Sequence, residues 1–308
     1  MDEEFAPEGA LDKQALKDLS RRSDAKGLAQ LAGHGAALAA TGLLVAQTVG
    51  SVWLGPALVA HAVVLVFLFA PLHETIHRTA FASRRLSDAA AWVCGAALLL
   101  PPEFFRAFHF AHHRHTQDPA RDPELAAAKP DSLGLYLWHV SGLPYWRDRA
   151  AALARHASGR VEEPFIAPRM RPAIVREARI LLLFYAALAV ASALSGSWAA
   201  LWYWAAPALL GQPFLRMYLL AEHTGCPLVQ HMLENSRTTH TNALVRRLAW
   251  NMPYHAEHHA YPALPFHALP AAHALLKDRI AVQAPGYLAV QRQILAGLGR
   301  RRPAAARR

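Results

Sequence analysis

Two long stretches without charged residues constrain this chain more than any other feature. Residues 27–73 and residues 180–215 contain no Asp, Glu, Lys or Arg. A membrane-spanning helix needs about 20 apolar residues, so each stretch has room for two spans. Helices in soluble cores rarely run this far without a charge on their solvent side. We therefore predict two helical hairpins, with spans at about 31–48, 52–72, 179–194 and 198–220.

The basic residues fall on one predicted side of the membrane. Fourteen Lys or Arg lie in residues 74–176 and eleven lie after residue 220, whereas the short turns between paired spans contain none. The positive-inside rule then places both termini and the long loop in the cytoplasm. We therefore interpret the net charge of +10 as an indication of membrane orientation. We expect the basic tail to contact anionic lipid headgroups, not nucleic acid, because no recognition module accompanies it.

Composition excludes several other classes of protein. Hydrophobic residues make up 54% of the chain and charged residues 18%, which excludes a disordered chain. Two cysteines, Cys94 and Cys226, exclude a disulfide scaffold and an iron–sulfur cluster.

We predict an all-α integral membrane protein of four transmembrane helices in two hairpins, with a cytosolic His-rich helical cap. We expect it in a bacterial inner membrane.

The predicted domain organisation is simple. Residues 1–28 form a cytosolic N-terminal segment, and residues 29–308 form one membrane domain. Its cytosolic cap consists of residues 73–176 and 221–308. The apolar segment 86–101 is too short for a span and ends at two prolines, so we expect an interfacial or re-entrant helix there.

Three clusters of histidines indicate the chemistry. The clusters, here called boxes one, two and three, are His73-Glu74-Thr75-Ile76-His77, His109-Phe110-Ala111-His112-His113 and His255-Ala256-Glu257-His258-His259. On a helix, positions i and i+4 share a face, and the three histidines of an HxxHH pattern fall within an arc of about 100°. Several neutral imidazoles delivered to one point suit Fe, Zn or Cu.

Eight histidines are more than one metal ion can use, since a tetrahedral zinc site takes three or four protein ligands. Two metals with four or five nitrogens each would use the whole set. A redox pair of irons beside a membrane indicates O2 activation on a lipid substrate. The ligand types alone leave the identity of the metal open.

Two other classes of protein also place histidines at a membrane. Box one matches the HExxH zinc-protease signature, with Glu74 as general base, so an intramembrane metalloprotease is an alternative. That alternative leaves boxes two and three unexplained. A metal transporter would hold its ligands near the middle of the membrane, where only His34 and His61 are predicted. Metal stoichiometry distinguishes these hypotheses.

The three boxes resemble those of the membrane fatty acid desaturase and hydroxylase superfamily, over about residues 52–273. The closer resemblance is to the branch that contains dihydrorhizobitoxine desaturases and sphingolipid Δ4-desaturases. It rests on Ala221-Glu222-His223, Thr238, Asn251-Met252-Pro253-Tyr254-His255-Ala256-Glu257-His258-His259 and Tyr261-Pro262. Stearoyl-type members have an Asn four residues before the ninth histidine, where this chain has Leu219.

The resemblance implies two irons between the hairpins and the cap, held almost wholly by histidine. The implied ligands are His73, His77, His109, His112, His113, His255, His258 and His259. A ninth histidine ends the fourth span; by position it is His223, with His240 as runner-up and His115 as a further candidate. Glu74 and Glu222 adjoin ligands and are candidates for orienting imidazole N–H groups. No catalytic residue beyond the metal centre is implied.

The implied activity is O2-dependent desaturation of an acyl or other lipid chain. Hydroxylation, ketolation and oxidative decarboxylation by the same centre are the alternatives. Electrons must come from a separate ferredoxin, rubredoxin or cytochrome b5, because the chain contains no His-Pro-Gly-Gly heme motif. The boxes leave open the chain length, the headgroup and the position of oxidation.

Overall fold

The computed structural model describes residues 10–299. The basic tail predicted to meet lipid headgroups, Arg300–Arg302 with Arg307 and Arg308, lies outside the described residues, as do the first nine residues of the N-terminal segment. Nearly every element in the described part is a helix. The exception to the predicted all-α class is one small parallel sheet of two short strands.

The first four helices lead from the N-terminus to box one. They are α1 (Lys13–Leu19), α2 (Asp24–Thr48), α3 (Leu54–Val66) and α4 (Phe69–His77). Ser23 caps α2, because its side chain accepts from the backbone N–H of Lys26. The chain reverses at Gly50, whose φ of 80° favours glycine. A short break at Phe67 and Leu68 separates α3 from α4, so that box one lies on the continuation of the predicted second span.

The next four helices form the first part of the cap. They are α5 (Arg84–Leu98), α6 (Pro102–His115), α7 (Leu133–Val140) and α8 (Leu143–Ala157). Helix α5 occupies the segment expected to be interfacial and packs against α4. Pro102 begins α6, where a missing N–H costs nothing, and the helix presents box two. The sequence did not predict α7 or α8.

The predicted second hairpin consists of α9 (Arg171–Ser195) and α10 (Ala206–His223), with a π-helical segment at Leu201–Ala205 before α10. Helices α10 and α3 pack closely at Gly211. A Cβ at that position would lie 2.4 Å from Val66 Cγ1 and 2.5 Å from the Ala62 carbonyl oxygen. Glycine therefore permits the close approach of the two helices. The end of α10 carries His223, which contacts His112 of box two and His255 of box three.

The C-terminal part of the cap wraps box three. Its elements are α11 (Met232–Asn235), β1 (Thr238–Thr239), α12 (Ala243–Leu248), α13 (His255–Ala260), α14 (Leu269–Leu276), β2 (Gln283–Ala284) and α15 (Tyr287–Ala296). Strands β1 and β2 pair in parallel, Thr238 with Gln283. The largest apolar cluster joins α3 and α10 to this region through fully buried Trp250, Leu264 and Leu269. This packing holds α13, which presents box three, against α3, α4 and α10.

Within residues 10–299, three helical stretches are long and apolar enough to cross a membrane: Asp24–Thr48, Leu54–His77 and Pro168–Ser195. Of the most apolar 18 residues, only 17% in the first stretch and 11% in the third are buried by protein. Their apolar side chains therefore need another apolar environment, such as the lipid of a membrane. The stretch predicted as a fourth span, 198–220, is not among them. A fourth span therefore stays a prediction.

Candidate metal centre

Five histidines from all three boxes converge in one cluster, in which His77 is half-buried and the other four are buried. Helix α4 contributes two, α6 contributes two and α13 contributes one: His73, His77, His109, His113 and His258. Their ligand atoms all lie within 4.8 Å of one another. The pairs His73/His77 and His109/His113 are each spaced i, i+4, which places both imidazoles on one helix face. We call this set the five-histidine cluster.

A second group of histidines lies directly beside the first. His112, His223 and His259 have their ligand atoms within 4.8 Å of one another, and all three side chains are buried. His255 adjoins them, because its Nε2 atom lies 2.9 Å from His223 Nε2 and its ring centroid 4.4 Å from that of His259. We call these four residues the four-histidine cluster. The rings of His113 and His259, one from each cluster, stack with centroids 4.1 Å apart.

Helix periodicity explains how one box serves both clusters. In box two, His109 and His113 point to the five-histidine cluster and His112 points to its neighbour. In box three, His258 joins the first cluster, whereas His255 and His259 lie with the second. Each HxxHH box therefore divides its histidines between two adjacent points.

Carboxylates around His112 control its protonation. Its Nδ1–H donates to Asp122 Oδ1 at 2.9 Å, and Glu124 Oε2 lies 3.4 Å from its Nε2. Burial disfavours the charged imidazole, but Glu124 and Asp122 outweigh burial and raise the pKa of His112. Lys129 pairs with Glu124 in turn. A bond to Nδ1 leaves Nε2 facing the cluster, which is the arrangement typical of a metal-binding imidazole.

Other ring nitrogens of the four-histidine cluster also have oriented partners. His223 Nδ1–H donates to the Asn235 carbonyl oxygen at 3.2 Å, and Thr116 Oγ1 lies 3.2 Å from His259 Nδ1. Glu222 Oε1 lies 3.5 Å from His255 Nδ1. These contacts direct the opposite nitrogen, Nε2, of each ring inward. Glu222 was a predicted partner of a ligand; Asn235, Thr116 and Glu124 were not, because they are distant in sequence or lie in a loop.

Burial keeps three of the cap histidines neutral. It lowers the pKa of His113, His258 and His259 well below 6.5, and neighbouring imidazoles lower it further. A neutral imidazole carries a lone pair on one nitrogen, which is the form that binds a metal ion.

Several buried imidazole nitrogens have no hydrogen-bond partner within residues 10–299. They include His77 Nε2, His259 Nε2 and both ring nitrogens of His258. Buried polar atoms are almost always hydrogen-bonded, and a group of exceptions at one point calls for a ligand. Lone pairs that converge in this way suit two cations. The donor set is nitrogen throughout, which suits iron, zinc or copper better than magnesium or calcium.

The structure separates the remaining candidates from the clusters. His240 is exposed and contacts Gln283 Oε1 at 2.9 Å, and His115 lies outside both groups of histidines. Glu74 is buried, but its Oε2 accepts from Thr79 Oγ1 at 2.6 Å and from the backbone N–H of Phe266 at 3.4 Å. Its Oε2 atom therefore holds no histidine, and its Oε1 atom is buried without a hydrogen-bond partner among residues 10–299.

A cavity of about 380 Å³ reaches the histidines. His73, His109, His112 and His255 form part of its wall, so the cavity opens onto both clusters. Aromatic and aliphatic side chains form much of the rest, including Phe67, Phe69, Leu100, Phe104, Phe105 and Phe108. Its size is in the range of sites for small organic ligands. It can hold an apolar chain against the histidines.

Comparison with known families agrees with this geometry. A sequence model of the family described as "Fatty acid desaturase" matches residues 47–291, which is most of the chain. The chain therefore belongs to the fatty acid desaturase family, and it is an oxidoreductase of a family that acts on lipids in membranes. A search of curated proteins finds no match.

Proposed function

We propose that this protein is an O2-dependent di-iron membrane oxidoreductase that desaturates an acyl or other lipid chain. One observation carries the proposal: two adjacent, buried histidine clusters face the same apolar cavity. The family supplies the reaction type. Within the family we favour the branch of dihydrorhizobitoxine and sphingolipid Δ4-desaturases, because of the box-three sequence and its flanking residues.

The two clusters divide the nine proposed ligands into five and four. The five-histidine cluster would hold one iron, and the four-histidine cluster, with His255 included, would hold the other. A bound iron pair supplies the one-electron and O2 chemistry that no protein side chain can supply. Asp122, Asn235 and Thr116 keep three of the imidazoles oriented. Burial keeps His113, His258 and His259 unprotonated.

The apolar wall of the cavity would bind and position the lipid chain. Phe69 and Phe105 pack with ring centroids 5.4 Å apart, and each also contacts a box histidine. Such a wall binds a hydrocarbon segment, excludes water and holds one part of the chain beside the histidines. Positioning of this kind selects which carbon atoms react.

Hydroxylation, ketolation and oxidative decarboxylation use the same centre and remain alternatives to desaturation. A zinc protease is disfavoured because the two box-one histidines lie in one cluster with three histidines of boxes two and three, which the HExxH signature leaves unexplained. A transporter is disfavoured because the clustered histidines of α4 and α10 lie at the ends of these helices, beside the cap, and not in the middle of a span. Electrons would come from a separate ferredoxin, rubredoxin or cytochrome b5. We place the protein in a bacterial inner membrane with both termini cytoplasmic.

The test is lipid mass spectrometry of cells with and without the gene, combined with metal analysis of the purified protein. We expect a new double bond in a lipid and two irons per chain. His258→Ala should abolish the new product, and His240→Ala, which alters an exposed histidine outside the clusters, is the matched control. A single tightly held zinc without redox activity would overturn the proposal.

A further inference from the structure

The cavity that reaches the histidines also has a polar region, to which two arginines contribute. Arg149 of α8 and Arg216 of α10 both contribute to its wall. Both arginines lie beside aromatic rings: Arg216 Cζ is 4.4 Å from the centroid of Tyr145, and Arg149 Cζ is 4.9 Å from that of Phe104. The Tyr145 hydroxyl donates to the Leu98 carbonyl oxygen at 2.9 Å, which fixes that ring. The two guanidinium groups are therefore held in place by packing.

Acidic residues at the cavity are already engaged elsewhere. Glu124 pairs with Lys129 and approaches His112, Asp148 pairs with Arg147 at 2.9 Å, and Glu222 lies beside His255. Neither Arg149 nor Arg216 forms an ion pair or a hydrogen bond with any residue in the described range 10–299. The Nε atom of Arg216 is buried without a partner. Two positive charges at the wall of one largely apolar cavity thus have no carboxylate at ion-pair distance, although the charges of Glu124 and Glu222 act on Arg216 from farther away.

Arg216 is placed where an unpaired charge is expensive. It lies within the stretch predicted as the fourth span, and an ionisable residue there needs a partner or a functional ligand. His139, also at the cavity wall, cannot share the positive charge near neutral pH, because burial, Arg216 and Lys129 lower its pKa to about 4. Guanidinium groups bind carboxylate or phosphate oxygens through two parallel hydrogen bonds.

We propose that Arg149 and Arg216 bind the anionic head, a carboxylate or a phosphate, of the lipid whose chain extends to the histidines. The inference rests on the proposed function and narrows it: the substrate is an anionic acyl lipid and not a neutral carotenoid or hydrocarbon. The fixed guanidinium groups then set how far the chain enters, and so which carbons reach the clusters.

The experiment measures binding, so that it does not depend on turnover. Purified metal-loaded protein in non-ionic detergent is titrated with palmitic acid, methyl palmitate and a palmitoyl lysophosphatidic acid. We expect at least one of the two acids to bind more tightly than the ester. Arg216→Gln and Arg149→Gln should each weaken binding of that acid by about tenfold or more and leave the ester unchanged. The acid that loses more affinity identifies the head as carboxylate or phosphate.

Arg147→Gln is the matched control, because Arg147 lies on the same helix, is exposed, pairs with Asp148 and does not line the cavity. If Arg216→Gln fails to fold, Arg149→Gln and Arg216→Lys, which keeps the charge, provide the same comparison. Equal affinity of wild type for the acids and the ester would overturn the inference, as would unchanged acid binding in both Gln variants. Acid binding through Arg216 without any oxidised lipid product would instead overturn the proposed function alone.

Discussion

His112 and His223 lie 111 positions apart in the sequence, yet their Nε2 atoms are 3.2 Å apart. The contact joins the end of α6 to the end of α10. Opposite nitrogens on both rings donate outward, to Asp122 and to the Asn235 carbonyl oxygen. Two such atoms at this separation either share one proton or direct two lone pairs at one cation. Metal analysis of variants distinguishes these two states.

The first prediction compares His223→Ala with His240→Ala. His223 is buried in the four-histidine cluster, whereas His240 is exposed and contacts Gln283. Loss of a ligand lowers metal affinity, so iron in His223→Ala should fall from two per chain towards one, and His240→Ala should keep both. Elemental analysis of the purified variants measures this. Iron retained in His223→Ala but lost in His240→Ala would reverse the assignment.

A second prediction concerns Asp122, which orients His112. Asp122→Asn removes the carboxylate that holds the Nδ1–H of His112, and such changes typically lower metal affinity 10–100-fold. Competition with a chelator measures the affinity. Asp118→Asn is the control, because Asp118 pairs with Arg121 at 2.6 Å and touches no cluster histidine. Equal affinities in the two variants would contradict the proposed role of Asp122.

Glu74→Gln separates an oxidoreductase from an HExxH protease. The amide retains an oxygen that can accept from Thr79, so we expect a stability loss of about 1 kcal/mol and largely preserved lipid oxidation. A general base contributes about 10²–10⁴-fold to the rate, so a protease would lose nearly all its activity. Lipid product formation and peptide cleavage are assayed on the same preparation. Proteolysis by wild type that disappears in the variant would refute the oxidoreductase.

A fourth prediction follows from the pKa of about 4 for His139, which burial, Arg216 and Lys129 lower from 6.5. In the unfolded chain this residue takes up a proton as the pH falls below about 6.5, but in the folded protein it does so only near 4. The folded state therefore loses stability between these values, by at most about 1.4 kcal/mol per pH unit. Thermal unfolding of His139→Gln in detergent should show a shallower decline over this window than wild type. The same decline of stability with falling pH in both proteins would contradict this role of His139.

Membrane topology gives the fifth prediction. Ser51, Ser132 and Ser197 are all exposed, whereas Cys94 and Cys226 are buried. Single cysteines at Ser51 and Ser197 should react with an impermeant maleimide from outside the cell, and one at Ser132 only after lysis. The parent protein, with its two buried cysteines, gives the background signal. Labelling at Ser132 in intact cells would refute the proposed orientation.

Local patterns in the sequence were sufficient to predict several helices and which histidines share a helix face. The charge-free stretches correctly indicated helices at α2, α3 and α9. However, α2 begins at Asp24, before the first charge-free stretch, and the predicted second span breaks at Phe67. The i, i+4 spacing within the boxes indicated shared faces, because helix geometry alone fixes them.

Long-range contacts could not be read in the same way. Nothing in the sequence near Glu124 or Asn235 reveals that they meet His112 and His223, since loops after α6 and α10 bring them there. Arg149 and Arg216 look like ordinary cations in the sequence. Only the packing of α8 and α10 around the cavity shows that neither has a carboxylate at ion-pair distance. Such relationships depend on tertiary structure, which periodicity does not encode.

The scattering of the histidines along the chain has a consequence for biosynthesis. His73 and His77 are made early, but both clusters remain incomplete until the ribosome has passed His258 and His259. Unpaired buried imidazoles are costly to the folded state, so metal that binds only this state favours its formation. Under the proposed ligand assignment, loading is a late maturation step that must wait for the synthesis of box three. Iron starvation would then reduce the steady-state amount of the protein, through degradation of unloaded chains, and not only its turnover.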